Sequence, residues 1–327
     1  MAGDGFARLR HRIAKIEAGA ADSRDADSVR TAAPDGAGTG QVDLTIAGRH
    51  GRDVVVRQSD GFAGAPDMPT LSARRGSGPL AFGIPGLDAM LAGGLRRGGL
   101  HEMRAAESRE AGAATGFAAA ILARLAADDS RPVLWVIEET AGHEAGLPYG
   151  GGLRHFGLDP RRLILVRAGK AADALWVFEE GLRCRGLAAV LTEIRGNPKQ
   201  LDLTASRRLA LRAAAHGVMG LLLRQSNAVT PNAAMTRWRV MPREASVTDG
   251  YAAGIGHPGW RLTLERNRLG VTGTFDVEWD NDRHAFATPA RPAVSFPLAS
   301  VPLHRPAVSQ DPRSRVADRT ERSRTAA

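Results

Sequence analysis

Apolar residues fall into three regimes along this chain. At the start, Phe6, Leu9, Ile13 and Ile16 recur at spacings of three and four, with Arg8, Arg12 and Lys15 around them. That spacing predicts one apolar stripe on a short helix over residues 1–18. A helix this small is not stable alone in water, so its stripe is expected to dock on a core or a partner. Residues 19–70 then carry Ala, Asp, Ser, Gly and Pro with few large apolar side chains, the composition of a flexible linker. The valines of Asp53–Arg57 interrupt it, but so short a run makes no convincing strand by itself.

From about Leu71 the pattern changes. Pro132–Ile137, Leu163–Val166, Leu187–Leu191 and Gly217–Leu223 are continuous apolar runs, as strands covered on both faces should be. Helical stretches lie around and between them: Gly116–Ala126, Ala171–Arg185 and Ala205–Ala215. The alternation predicts an α/β fold over residues 71–287, a mainly parallel sheet with helices on both faces. Its end differs, because Trp260–Leu264 and Thr274–Trp279, joined by the turn Arg266–Gly270, read as an antiparallel hairpin extending the sheet edge. Residues 288–327 are rich in Pro, Ser and Arg without periodicity and are expected to be a disordered basic tail. The apolar stretch Ala111–Ala127 is mostly alanine and broken by Arg124, too weak and short for a membrane span.

Composition narrows the partners. A chain of 327 residues can bury one large α/β core with segments left over. A net charge of +9 favours an acidic partner, nucleic acid first among them. The single cysteine, Cys184, excludes an intrachain disulfide and a cysteine-based zinc site, which fits a reducing cytoplasm. No signal peptide is expected, since Arg8, Arg10, Arg12 and Lys15 interrupt every early apolar run. The histidines are scattered with no i, i+4 pair, so no metal site is expected. Ser108, Ser206 and Ser226 sit in no nucleophile context. Trp238, Trp260 and Trp279 lie near arginines, where stacking on bases competes with packing in the sheet; packing is the preferred reading.

The chemistry turns on a glycine-rich segment. Phe82–Glu102 and Gly112–Ala120 read like the surroundings of a nucleotide site, but no Gly-Lys-Ser/Thr follows in any register. A working phosphate loop needs backbone N–H groups around the phosphates, an ammonium on the β/γ oxygens and a hydroxyl on Mg²⁺. The only lysines are Lys15, Lys170 and Lys199, and none stands in such a loop. Hydrolysis is therefore not expected, because positioned charge is nearly all the catalysis such a site offers. What remains is a weak anion-binding reading, in which a helix beginning near Thr115 offers its free N–H groups.

The order of elements resembles the RecA/KaiC-type recombinase core, and four stretches resemble one branch of it, the ImuA family of SOS-inducible mutagenesis proteins. They are Phe82–Glu102 with Gly112–Ala120; Val133–Glu139 with Gly157–Val166; Ala174–Arg183 leading into Val190–Glu193; and Arg237–Val240 with Leu264–Arg268 and Glu278–Asp280. The resemblance implies a RecA-like fold with a degenerate phosphate loop at Gly112, Ala113, Ala114, Thr115 and Gly116. Ala113 and Ala114 fall where a recombinase places the Lys and the hydroxyl. It sets Glu193 at the end of the strand that would carry the metal-binding Asp, where the simplest reading is a solvated or capping group. Glu138 and Glu139 fall near the water-activating carboxylate. The 195–206 and 225–236 loops fall where recombinases bind DNA, which makes Arg195, Lys199, Arg237, Arg239, Arg266 and Arg268 candidate DNA contacts.

The function implied is that of a non-catalytic adaptor, without cofactor, in error-prone translesion synthesis. Its implied partners are a Y-family-polymerase-like protein (ImuB) and an error-prone C-family DNA polymerase, with RecA and DNA as further candidates and no membrane. The Phe6/Leu9/Ile13/Ile16 helix would be a docking peptide on a tether. The expected location is the cytoplasm, at the nucleoid when induced. The alternatives are a DNA-dependent ATPase of recombinase type and an SOS cell-division inhibitor.

Overall fold

The computed structural model describes residues 76–245 and 256–289 in full, and the backbone of residues 43–47 and 53–58. The Phe6/Leu9/Ile13/Ile16 helix and the 288–327 tail, beyond its first residues, lie outside the described residues.

Eleven strands form one sheet. In chain order the elements are β1 (Asp43–Ala47), β2 (Asp53–Gln58), α1 (Pro85–Met90), β3 (Leu100–Ala105), α2 (Ala111–Asp128), β4 (Val133–Glu138), α3 (Glu139–Ala145), α4 (Gly150–His155) and β5 (Leu163–Ala168). They continue with α5 (Ala171–Arg183), β6 (Ala189–Arg195), α6 (Leu203–His216), β7 (Met219–Gln225), β8 (Thr236–Arg243), β9 (Gly259–Asn267), β10 (Gly273–Asp280) and β11 (Ala285–Ala287). The strand order is β1-β2-β5-β4-β6-β7-β3-β8-β9-β10-β11. The block from β5 to β8 is parallel, and both margins are antiparallel. The mainly parallel sheet and its terminal hairpin are thus as expected.

Two parts depart from the sequence reading. β1 and β2 lie inside the segment assigned to linker, and β2 pairs antiparallel with β5 through Val55–Gln58. The valines of Asp53–Arg57 are therefore a strand; the free edge of β5 supplies what the short run could not show. β3 was not anticipated as a strand at all. His101, Glu102 and Arg104 break its apolar pattern, yet all three are buried.

The two faces of the central strands carry separate cores. On one, α2 covers Trp135, Leu191, Leu221 and the late antiparallel strands. There Phe82, Phe117, Trp260, Trp279 and Phe286 form an aromatic cluster, with Phe117–Trp260 centroids 5.7 Å apart and Trp279–Phe286 4.9 Å apart. Trp238, Trp260 and Trp279 are all buried, so packing is their role. On the other face α5 and α6 cover Leu134, Val136, Val190 and Leu222. The helical stretch Ser108–Asp128 is long and apolar enough to cross a membrane by composition alone; most of it is buried inside this fold.

The glycine-rich run-up has its own geometric reason. Leu80 and Leu95 exchange backbone hydrogen bonds at 2.7 and 2.9 Å, which brings Gly94, at φ +126°, so close that a Cβ would lie 2.1 Å from the Leu80 carbonyl oxygen. Gly94→Ala is therefore expected to cost roughly 2 kcal/mol. A denaturant midpoint unchanged by the substitution would contradict this.

Candidate functional site

The turn between β3 and α2 is where a phosphate loop would stand. It is short: Ser108–Glu110 forms a 3₁₀ turn that runs straight into α2 at Ala111. Gly112 to Gly116 therefore lie along a helix and not in a loop. The helix starts at Ala111, upstream of the start near Thr115 that the sequence suggests, so the N–H groups of Thr115 and Gly116 belong to the helical ladder.

Three amides at the turn are taken by carboxylates of the chain itself. Glu110 Oε2 accepts from Ala106 N at 2.8 Å and from Glu107 N at 3.3 Å. In return the Glu107 carboxylate accepts from the Glu110 N–H, closing a reciprocal cap. Arg239, half-buried on β8, sets a guanidinium nitrogen 3.7 Å from Glu110 Oε1. Two amides and a cation thus face a carboxylate of the chain itself. Arg239, a candidate DNA contact, is directed here instead.

Deeper in, the remaining nucleotide-site positions bind each other. Thr115 Oγ1 donates to Glu193 Oε2 at 3.2 Å, and Trp135 Nε1 donates to Glu193 Oε1 at 2.7 Å. Glu193 is only 2% exposed, so it is neither solvated nor a surface cap, and burial pushes its carboxyl up to about 7 despite the two donors. Glu138, the other carboxylate singled out, accepts from Arg195 N at 2.9 Å and Thr140 Oγ1 at 2.7 Å, tying the end of β4 to the end of β6. Its neighbour Glu139 is half-buried at the start of α3.

The loop after β7, residues 226–235, is held from beneath by arginines. Glu102, fully buried at the centre of β3, accepts from Arg224 NH1 at 2.9 Å, from Asn232 Nδ2 at 2.6 Å and from Arg237 Nε. Arg224 reaches on to Thr230 Oγ1 at 2.8 Å, and Arg237 to the Thr230 carbonyl at 2.6 Å. Arg104 donates to the carbonyls of Ser226 and Asn227, both at 3.1 Å, while pairing with Glu265 at 2.7 Å. Arg266 donates to the Asn232 carbonyl. Each of these arginines has at least one hydrogen-bond partner, which is what allows so many charges below the surface, and of Arg224 only Nε is left without one.

This network corrects two further expectations. Arg237 is buried against Glu102, and half-buried Arg266 donates to the Asn232 carbonyl, so both pin the loop. Arg195, Lys199 and Arg268 are exposed, with Arg195 NH2 3.4 Å from Glu144. The residues that sequence reasoning missed are Glu102, Arg104, Glu110, Arg224, Asn232 and Glu265. The one available signal was a carboxylate and an arginine two apart in β3, a spacing that puts both on one face of a strand.

Nearby, His101 is buried with Nδ1 2.8 Å from Thr236 Oγ1 and Nε2 2.9 Å from the Arg96 carbonyl oxygen. Burial lowers its pKa to about 4, so it stays neutral and structural at ordinary pH.

No family model matches the chain. Two curated relatives, both called Protein ImuA, come from two strains of Caulobacter vibrioides. Each is 32% identical over 218 residues, spanning 63% of this chain and 85% of the relative. Among solved structures, that of the RadB recombinase is 17% identical with a TM-score of 0.43, covering 64% of this chain and 99% of that one.

Proposed function

The chain belongs to the ImuA family, and from that premise we propose that it is a non-catalytic adaptor of SOS-induced mutagenesis, supporting error-prone translesion synthesis. The observation that carries the non-catalytic part is the occupancy of the turn by Glu110: its carboxylate takes the amides of Ala106 and Glu107 that a phosphate would use. The Thr115–Glu193 hydrogen bond supports it, because the hydroxyl and carboxylate nearest the place of a magnesium ion are satisfied by each other. What such a chain has left to offer is surface. In this reading the surface is presented to a Y-family-polymerase-like partner, ImuB, and to a C-family polymerase. The exposed side chains of Arg195, Lys199 and Arg268 are the candidates for any contact with DNA.

The test is made in cells and in vitro together. Deleting the gene in its host is expected to lower damage-induced mutation frequency several-fold, and a plasmid copy carrying Glu193→Gln to restore it. Purified protein with ATP, Mg²⁺ and single-stranded DNA is expected to release no phosphate above background. An unaltered mutation frequency in the deletion strain would sink the adaptor reading. DNA-stimulated phosphate release that disappears in the Glu193→Gln protein would replace it with an ATPase.

A further inference from the structure

Among the described residues, the outer face of α6 meets the rest of the fold only at its margin, where Arg208 and Arg212 pair with Glu179. Ala205, Ser206, Leu209 and Ala213 point inward, and Asp202 fixes the start of the helix by accepting from Ala205 N at 2.6 Å. On the opposite side Leu211 stands 71% exposed at mid-helix. Around it Arg207, Arg208, Arg212 and Ala215 help to wall a shallow hollow of about 470 Å³ whose surface is almost wholly apolar. Arginine side chains build such a surface by laying their methylene stems beside a leucine and holding their charges at the rim.

The rim is positive. α6 contains no acidic residue between Leu203 and His216, and Glu179 of α5 alone serves two of the arginines, at 2.8 Å from Arg208 and 2.7 Å from Arg212. One carboxylate between two guanidiniums leaves an excess of positive charge, to which exposed Arg207 adds its own.

We propose that this face docks an acidic amphipathic helix of a partner protein. One apolar residue of that helix seats on Leu211, and carboxylates one turn to one side of it meet Arg207 and Arg208, which both precede Leu211 by about a turn. Helix-in-groove recognition needs this combination of apolar anchor and complementary rim. Nucleic acid fits less well, because the hollow holds no aromatic ring for a base to stack on and would set Leu211 against phosphates. The chain's own amphipathic stripe at Phe6–Ile16 is flanked by Arg8, Arg12 and Lys15, so like charges oppose its docking here. The proposal rests on the adaptor reading only in supplying a surface for it. Binding to purified protein is measured whether or not the chain acts in mutagenesis, so the two can fail separately.

The probe is a fluorescein-labelled helical peptide in which glutamates at i−4, i−3, i+3 and i+4 flank a leucine, so that either direction of docking offers two carboxylates to Arg207 and Arg208, titrated with full-length protein and followed by anisotropy. The same peptide with glutamine for glutamate, and a labelled single-stranded oligonucleotide, are run beside it. The acidic peptide is expected to bind. Leu211→Asp and Arg207→Glu are each expected to weaken it at least tenfold without moving the thermal midpoint, since both side chains are exposed. The glutamine peptide is expected to bind at least tenfold less tightly than the acidic one. Failure of the acidic peptide to bind, equal binding of the glutamine peptide, or indifference to both substitutions would overturn the proposal. So would displacement of the peptide by the oligonucleotide, or by a synthetic peptide of residues 1–18.

Discussion

Glu102→Ala is expected to lower the stability of the protein by roughly 3–5 kcal/mol, the usual cost of removing one partner from a buried ion pair. The alanine itself costs little of this. The loss comes from Arg224, 1% exposed, and from Arg237, both left without the carboxylate that neutralises them. Asn232 loses its acceptor as well. Two measurements check it: the urea unfolding midpoint should fall sharply, and the 226–235 loop should become the first site of proteolytic nicking. A triple variant with Glu102, Arg224 and Arg237 all replaced by apolar residues of similar size should be less damaging than the single one, since no charge is stranded. A Glu102→Ala protein within 1 kcal/mol of the parent would mean that water reaches this cluster.

Glu193→Gln is expected to stabilise the protein at every pH above about 4.5, by an amount that grows up to pH 7. Burial sets the folded pKa near 7 against an ordinary value of 4.5, so the native state holds the proton more tightly than the unfolded chain does. The contribution is fully present below pH 4.5, declines between 4.5 and 7, and is gone above 7. A gap of that size is worth about 3 kcal/mol at pH 8. The amide keeps the acceptor for Trp135 Nε1 and can donate to Thr115 Oγ1, so it retains both contacts without the charge. Denaturant melts of the two proteins should coincide at pH 4 and separate at pH 8, with the glutamine variant the more stable. A carboxylate kept for metal binding would behave otherwise: its replacement would bring no gain at pH 8 and would abolish an Mg²⁺-dependent activity.

How much of this was legible follows from how far apart the interacting residues stand. β4, β5, β6 and β7 announce themselves because both faces are covered and every position can be apolar. The hairpin of β9 and β10 is announced by its turn. β3 carries polar residues that only make sense once Arg224, Asn232 and Arg237 arrive from 122 to 135 positions away. No local pattern holds that information. Glu193 is the same case: the sequence puts a carboxylate at a strand end, and solvent is the default company for it. Trp135 and Thr115, 58 and 78 positions distant, reverse that default. The candidate DNA contacts divided on the same ground. A strand alternates its side chains, and without knowing which face is covered an arginine on β8 or β9 can be a handle or a rivet.

The Glu107–Glu110 clasp bears on what a return to phosphate binding would take on the adaptor reading. A lysine at Ala113 and a hydroxyl at Ala114 would stand in the first turn of the helix, but Ala114 is fully buried in the core, so an added hydroxyl there would have no open space to act in. The turn before them would also have to give up the Glu107–Glu110 clasp that now closes it. Buried Ala114 and the clasp are thus two separate obstacles, and a single point substitution removes only one of them.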